Sequence, residues 1–336
     1  MKLDHSNTCP ICRSSNLTAI KCYHTEFNGS RQLHRCRDCD AAFSETRGTP
    51  MAHLKSPISK VASVLRVRSE GLGMRATGRV FGMHKNTVME WESKFAKQKD
   101  SLMLYALCHE FISLTFEGDE LYTVVRERGD PSDSEGWTAV VMDRASRFIV
   151  EQRCGKKDAE MFDAVMNTVA AYIEKSQEVT FLSDGERRYG NALFDICSEV
   201  LRDGRCGRPP KTLPVDVKIR VKNKGSQQPK LGRKRPKYEA PQREHPETGQ
   251  VLDLAEIHAN HVEAQNAALR RRNSAFRRRT NTYAKCKKGL QRTLDVHQIF
   301  HNFVRPHWST HEVPAVMLGV IKEALCLKDI LSTRFV

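Results

Sequence analysis

The sequence predicts a mixed α/β protein in which two small modules precede a sheet-bearing domain. Three observations carry this. Two C-x-x-C pairs stand near the N-terminus. Apolar spacing is helical from 57 to 99. After about residue 100 it gives way to β-branched and aromatic runs. The expected domains are 1–48, 49–100 and 105–336, the last with a basic insertion at about 205–250.

The first module is built on "CPIC" at 9–12 and "CRDC" at 36–39. Each pair brings two thiolates to one ion from a tight turn, and two such turns complete tetrahedral zinc. The expected ligands are Cys9, Cys12, Cys36 and Cys39, in a zinc ribbon with a long loop. Cys22, His24 and His34 are the nearby substitutes. Seven of the eleven cysteines are scattered, and a chain without an apolar leader is expected to keep them reduced.

In the second module Ile58, Val61, Val64 and Leu65 form a helical stripe. Ala76, Val80 and Phe81 mark a short helix, "GMH" a turn, and Val88, Trp91 and Phe95 the inward face of the next helix. Two short helices joined through glycine predict a helix-turn-helix, with Lys85, Asn86 and Thr87 opening the helix that meets DNA.

The third module reads as three strands ("FISLTFEGDELYTVV", "GWTAVVMD", "SRFIVEQRC"), an amphipathic helix from "DAEMFDAV", a buried strand "EVTFLSD", and further helices. This order suits a mixed sheet with helices on its faces. Within the insertion, "VDVKIRV" has the composition of one strand and the remainder that of an extended basic segment.

Charge narrows the partner. The formal net charge is +15, with net +11 over 205–243 and +10 over 270–292, so the remainder is net acidic. Focused positive charge is the footprint of a polyanion, most simply nucleic acid. No apolar run reaches the ~20 residues of a membrane span, and a cytoplasmic, nucleoid-associated protein is expected.

Asp119 falls on the first strand of the sheet, Asp184 closes the later buried strand, and Glu263 sits on the helix past the insertion. Carboxylates on neighbouring strands and a packed helix are the donor set for two Mg²⁺ ions, which can activate one phosphodiester oxygen and stabilise another. Glu117 and Glu120 flank Asp119, so the register of the first acid is open by one or two positions, and Glu256 is the alternative to Glu263. Asn266 and Arg270, at +3 and +7 from Glu263, share its helical face, while Val262, Leu269 and Phe276 would face the core. Asn266, Arg270, Arg271, Arg277, Arg278 and Lys285 are the candidate DNA contacts of this segment.

The motifs "FEGDELYTVV", "VVMDRASRFIV", "FLSDGERRYG" and "HVEAQNAALRRRNSAFRRRTNTYAK" resemble the catalytic core of DDE transposases of bacterial insertion sequences. The likeness is greatest to the Insertion Sequence One type, which also places a zinc ribbon and a helix-turn-helix ahead of the core. The resemblance implies an RNase H-like fold with Asp119, Asp184 and Glu263 as the acid triad, and matches Arg270 to a basic residue these enzymes carry after the glutamate. It implies binding of double-stranded DNA, both element ends and target, and metal-dependent strand cleavage and transfer by a dimer or larger homo-oligomer. The basic insertion is longer than the resemblance leads one to expect. The alternatives are a non-catalytic DNA-binding regulator and a nuclease of the same fold without strand transfer.

Overall fold

The computed structural model describes residues 8–183, 186–200, 211–214, 216–221, 258–277 and 281–334. The chain divides into two compact units: 1–105 with 272–274 and 295–336, and 106–271 with 275–294. The N-terminal stretch of the first unit ends at Tyr105, and 295–336 groups with it rather than with the sheet-bearing unit.

The first unit opens with a small antiparallel sheet of β1 (Leu17–Thr25), β2 (Gly29–Cys36) and β3 (Ala42–Ser44). The turn at 9–12 and the end of β2 bring the cysteine pairs together over Phe43 and Leu17. Three helices follow, α1 (Ile58–Ser69), α2 (Met74–Val80) and α3 (Lys85–Ala96), with α4 (Gln98–Ala106) leading out. The expected stripe on α1 is buried at Val61, Val64 and Leu65, and that on α3 at Val88, Trp91 and Phe95.

Helix α2 departs from its expected face. Val80 is 67% exposed, and Thr77 and Gly78 are buried instead. The reason is close approach. A Cβ on Gly78 would stand 2.7 Å from the Met83 carbonyl oxygen, so the inward face is the one with small residues. Val80, two positions on, is rotated about 200° away. Gly82 ends the helix with φ +61°, a conformation glycine adopts without strain.

A buried ion pair joins α1 to α3. Arg68 Nε and Nη2 lie 2.9 and 2.8 Å from Glu92 Oε1, and the side chains are 9% and 2% exposed. The C-terminal stretch completes this unit. Phe300, in a π-helical segment Phe300–Val304, packs 5.6 Å from Phe95, and Arg305 pairs with Glu70. Buried Arg334 donates from Nη1 to the Thr8 carbonyl and from Nε to the Arg47 carbonyl, each at 2.6 Å, and lies over the Phe43 ring.

The second unit is built on a five-stranded sheet of order β10-β7-β4-β5-β6. Its strands are β4 (Phe111–Tyr122), β5 (Trp137–Asp143), β6 (Ile149–Gly155), β7 (Ser176–Ser183) and β10 (Val217–Val221). β4, β5 and β6 are antiparallel neighbours, while β7 runs parallel to β4, and β10 parallel to β7. Helix α5 (Ala159–Ile173) connects β6 to β7, and α6 (Arg187–Cys197) follows β7. A two-stranded ribbon, β8 (Glu199–Val200) and β9 (Lys211–Thr212), precedes β10.

The insertion is thus not all linker, since "VKIRV" is an edge strand of the main sheet; residues 222–250 lie outside the described residues. Helix α7 (Asn260–Arg272) buries Val262 and Leu269 against Leu121, Val140 and Met142. Phe276 joins the same core, but from a 3-10 turn beyond the helix end. Helix α8 (Lys287–Ile299) adds Leu290 and Leu294 to it. Helices α9 (Pro314–Met317) and α10 (Leu327–Ser332) belong to the first unit. Among the described residues no helix is long and apolar enough to cross a membrane.

Candidate functional site

The four patterned cysteines converge. Their sulfurs all lie within 4.8 Å of one another, with Cys9–Cys39 at 3.5 Å and Cys12–Cys36 at 3.4 Å. Tetrahedral zinc with Zn–S bonds of ~2.3 Å sets sulfurs about 3.8 Å apart, so the cluster has the size to hold such an ion. Burial raises the Cys9 thiol, but N–H groups of Cys12 and Ile11 point at its sulfur and, with Cys39 and Cys12, bring it down to about 6. Cys22, His24 and His34 are not in this cluster.

Lys85, Asn86 and Thr87 form the first turn of α3, where Lys85 and Asn86 are exposed and Thr87 is half-buried. Phe81, Gly82, Met83 and His84 separate this turn from α2, and His84 accepts from the Asn86 N–H as the cap.

In the second unit, strand geometry sorts the acids of "FEGDE". Glu117 and Asp119 share one face of β4, and Glu120 points to the other. Gly118 is required between them. A Cβ there would meet Phe181 Cζ at 2.9 Å and Tyr189 Cζ at 3.3 Å, the aromatic layer beneath the sheet. The buried Tyr189 hydroxyl donates to the Asp119 carbonyl oxygen at 3.2 Å and pins the strand there. Glu120 is bound to Lys157 at 2.9 Å, and Lys157 also meets Glu186 at 3.1 Å. Burial, helped by the charges of Asp119 and Glu186 and opposed by Lys157, pushes the Glu120 carboxyl up. Glu120 therefore faces away from the Asp119 side chain.

Asp119 Oδ2 accepts from Asn266 Nδ2 of α7 at 2.8 Å. Glu263 lies in the first turn of that helix, three residues before Asn266 and about 60° round from it. The carbonyl oxygen of the Asn266 side chain is buried and has no hydrogen-bond partner among the described residues. The fold thus brings Asp119 to the Glu263-bearing face of α7. Ser183, the last residue of β7, pairs with Gly118, directly before Asp119; Asp184 itself lies outside the described residues, as do Glu256 and Arg278. Arg270 is half-buried and Arg271 exposed at the end of α7. Arg277 is exposed, and exposed Lys285 sits 3.7 Å over the Tyr283 ring.

One constellation had no signal in the sequence beyond Glu117's place beside Asp119. Glu117 is fully buried. Its Oε1 is 2.6 Å from Arg144 Nε and 2.8 Å from His261 Nδ1, and its Oε2 accepts from the backbone N–H groups of His261 and Val262 at 2.9 and 3.0 Å. Arg144 also donates to the His258 carbonyl oxygen at 2.5 Å. Burial disfavours the Glu117 charge, but His261, the Val262 N–H and Arg144 outweigh it and hold the carboxyl below its usual range. Glu117, His258 and His261 have the residue types of a metal site and the proximity to form one. The guanidinium at 2.6 Å argues against a cation there, because it occupies the same oxygen with positive charge.

Comparison of the chain with protein-family models and with curated proteins finds no match.

Proposed function

We propose that the protein is a transposase of the DDE class that binds the ends of a mobile DNA element, cleaves a strand and joins the freed 3′-hydroxyl to target DNA. The observation that carries this reading is the contact of Asp119, mid-sheet on β4, with Asn266 on the helix that bears Glu263. The sheet supports it: three antiparallel strands, two further strands parallel to the first, and helical crossovers are the plan of an RNase H-like core. On this reading Asp119, Asp184 and Glu263 hold Mg²⁺. The donor set suits it, since carboxylates and the orphaned Asn266 oxygen are hard ligands. Bound there, the ions would supply Lewis-acid activation of the attacking oxygen and stabilisation of the leaving one.

The chain's own residues then divide the remaining tasks. Asn266 orients the Asp119 carboxylate. Arg270, Arg271, Arg277 and Lys285 meet the DNA backbone, where phosphate contacts set register rather than sequence. The cysteine cluster, read as a zinc ribbon, and α2–α3, read as a helix-turn-helix, recognise the element ends with Lys85, Asn86 and Thr87. Joining two ends calls for a dimer or larger.

The test is cleavage of labelled end-containing duplex with Mg²⁺, followed by strand transfer into a target. Asp119→Asn and Glu263→Gln should each lower cleavage by at least 100-fold, about 2.7 kcal/mol in the barrier, and keep DNA binding. Arg270→Ala should weaken binding instead. Wild-type cleavage by Glu263→Gln would refute the site. Cleavage without transfer would identify a nuclease, and DNA binding without either would identify a regulator.

A further inference from the structure

We infer that Glu117 is the positioning residue that sets Glu263 against Asp119, acting as a cap on α7 supplied by another element. The inference rests on reading Asp119 and Glu263 as the working carboxylates.

The residue before helix α7 is Ala259, whose side chain carries no acceptor, and the first backbone N–H groups of any helix lack intrahelical partners. Here they are met from outside. Asn260 N–H approaches His258 Nδ1 at 3.5 Å, and those of His261 and Val262 donate to Glu117 Oε2. The first bond within the helix is Glu263 N–H to the Ala259 carbonyl oxygen at 3.1 Å. Glu263 is therefore the first residue held by the helix itself, immediately after the two held by Glu117.

The second tie lies one turn on, between Asn266 and Asp119. The two ties match in pitch. Glu117 and Asp119 are two residues apart on a strand, about 6.7 Å, and Val262 and Asn266 are four apart on a helix, about 6 Å. Two fixed points of similar spacing set both the height and the rotation of α7 along β4. Glu263 lies between them, so its place relative to Asp119 follows from both. Arg144 and His261 in turn hold the Glu117 carboxylate at a single orientation.

The reach of the side chain and its acceptor oxygens are what matter, and variants separate them. Glu117→Gln keeps an oxygen for the two N–H groups but loses the Arg144 pairing. Glu117→Asp keeps the charge but is one methylene short. Glu117→Ala loses everything. Ile149→Ala, in the same core but on β6, two strands from Glu117, controls for general loosening.

Three measurements are made on the full-length chain: amide exchange of 261–266, Mn²⁺ affinity by electron paramagnetic resonance, and Mg²⁺-dependent turnover at saturating end DNA. Glu117→Ala and Glu117→Asp should speed exchange in α7 by at least 10-fold, weaken Mn²⁺ by at least 10-fold and lower turnover, with half-saturating DNA unchanged. Glu117→Gln should recover part of each, and Ile149→Ala should leave all three near wild type. Wild-type Mn²⁺ affinity in Glu117→Ala, or parallel losses in Ile149→Ala, would overturn the inference. So would Mn²⁺ that survives in Glu263→Gln and vanishes in Glu117→Ala, which would mark Glu117, His258 and His261 as the metal site. An inactive wild type would sink the transposase reading alone, because exchange and Mn²⁺ affinity still decide the role of Glu117.

Discussion

Replacing Glu92 by alanine leaves Arg68 as a guanidinium inside the three-helix module with no carboxylate to meet it. The pair bridges α1 and α3 through two nitrogens on one carboxylate oxygen, with side chains 9% and 2% exposed, and Arg68 also donates to the Leu72 carbonyl. Removing one partner of so buried a pair costs about 3–5 kcal/mol, whereas replacing both with apolar residues of similar volume is neutral or stabilising by up to about 4 kcal/mol. Glu92→Ala should therefore be strongly destabilising, and Arg68→Met/Glu92→Leu should not. With a urea slope of about 2 kcal/mol per molar, the single variant shifts the midpoint by about 1.5–2.5 M. Trp91 reports the transition, since it is 3% exposed and adjacent to Glu92; Trp308 is 89% exposed and changes little on unfolding, and Trp137 belongs to the second unit. Burial also keeps the loss nearly independent of salt. A loss below about 1 kcal/mol in Glu92→Ala, or a double variant as unstable as the single, would refute the reasoning.

Two further outcomes are expected. Purified protein should carry one tightly held zinc per chain, and Cys36→Ser should release it and abolish exchange protection in β1–β3, because a structural site in so small a module supplies much of its folding energy; wild-type protein without metal would refute this. Acid should destabilise the first unit through His297: burial first, then the charges of His301, Arg305 and Arg272, hold this imidazole well below 6.5. The folded state keeps it neutral while the unfolded chain takes up a proton near 6.5, so its contribution is complete above that pH and is lost as pH falls below it, at up to about 1.4 kcal/mol per pH unit. Urea midpoints from pH 7.5 to 5.5 should fall more steeply in wild type than in His297→Gln, and equal slopes would remove His297 from the account.

Much of this architecture was legible because its signals are local. The C-x-x-C pairs, the stripe Val61–Val64–Leu65 and the β-branched runs of β4 to β7 each declare themselves within a few residues. What escaped depends on distant partners. Val80 looked inward by type, but the bare backbone at Gly78 set the contact face. The strand at Val217–Val221 was legible as "VDVKIRV", but its parallel pairing with β7 was not. The boundary after Leu294 has no compositional mark, since α8 runs through it. Glu117 is the clearest case. Its partners His261 and Val262 are more than 140 residues away, and the alanine at the head of α7 gives no hint that a cap comes from a strand. At the site itself, Asp119 and Glu263 were named from residue type and position, whereas the contact through Asn266 required the fold.

The Arg334 clamp bears on the order of events during synthesis. Thr8 and Arg334 are 326 residues apart, yet the N-terminal cysteine module is fastened by their hydrogen bond. At about 5–20 residues per second a ribosome needs roughly 16–65 s to deliver the second after the first. In that interval every residue of 106–294 has emerged, so the sheet-bearing unit can close cotranslationally while its predecessor waits with Phe95 still lacking Phe300. The segment that emerges first is thus the one whose packing is completed last, and a fragment cut after Tyr105 would carry the cysteines and α1–α3 without the residues that finish their core.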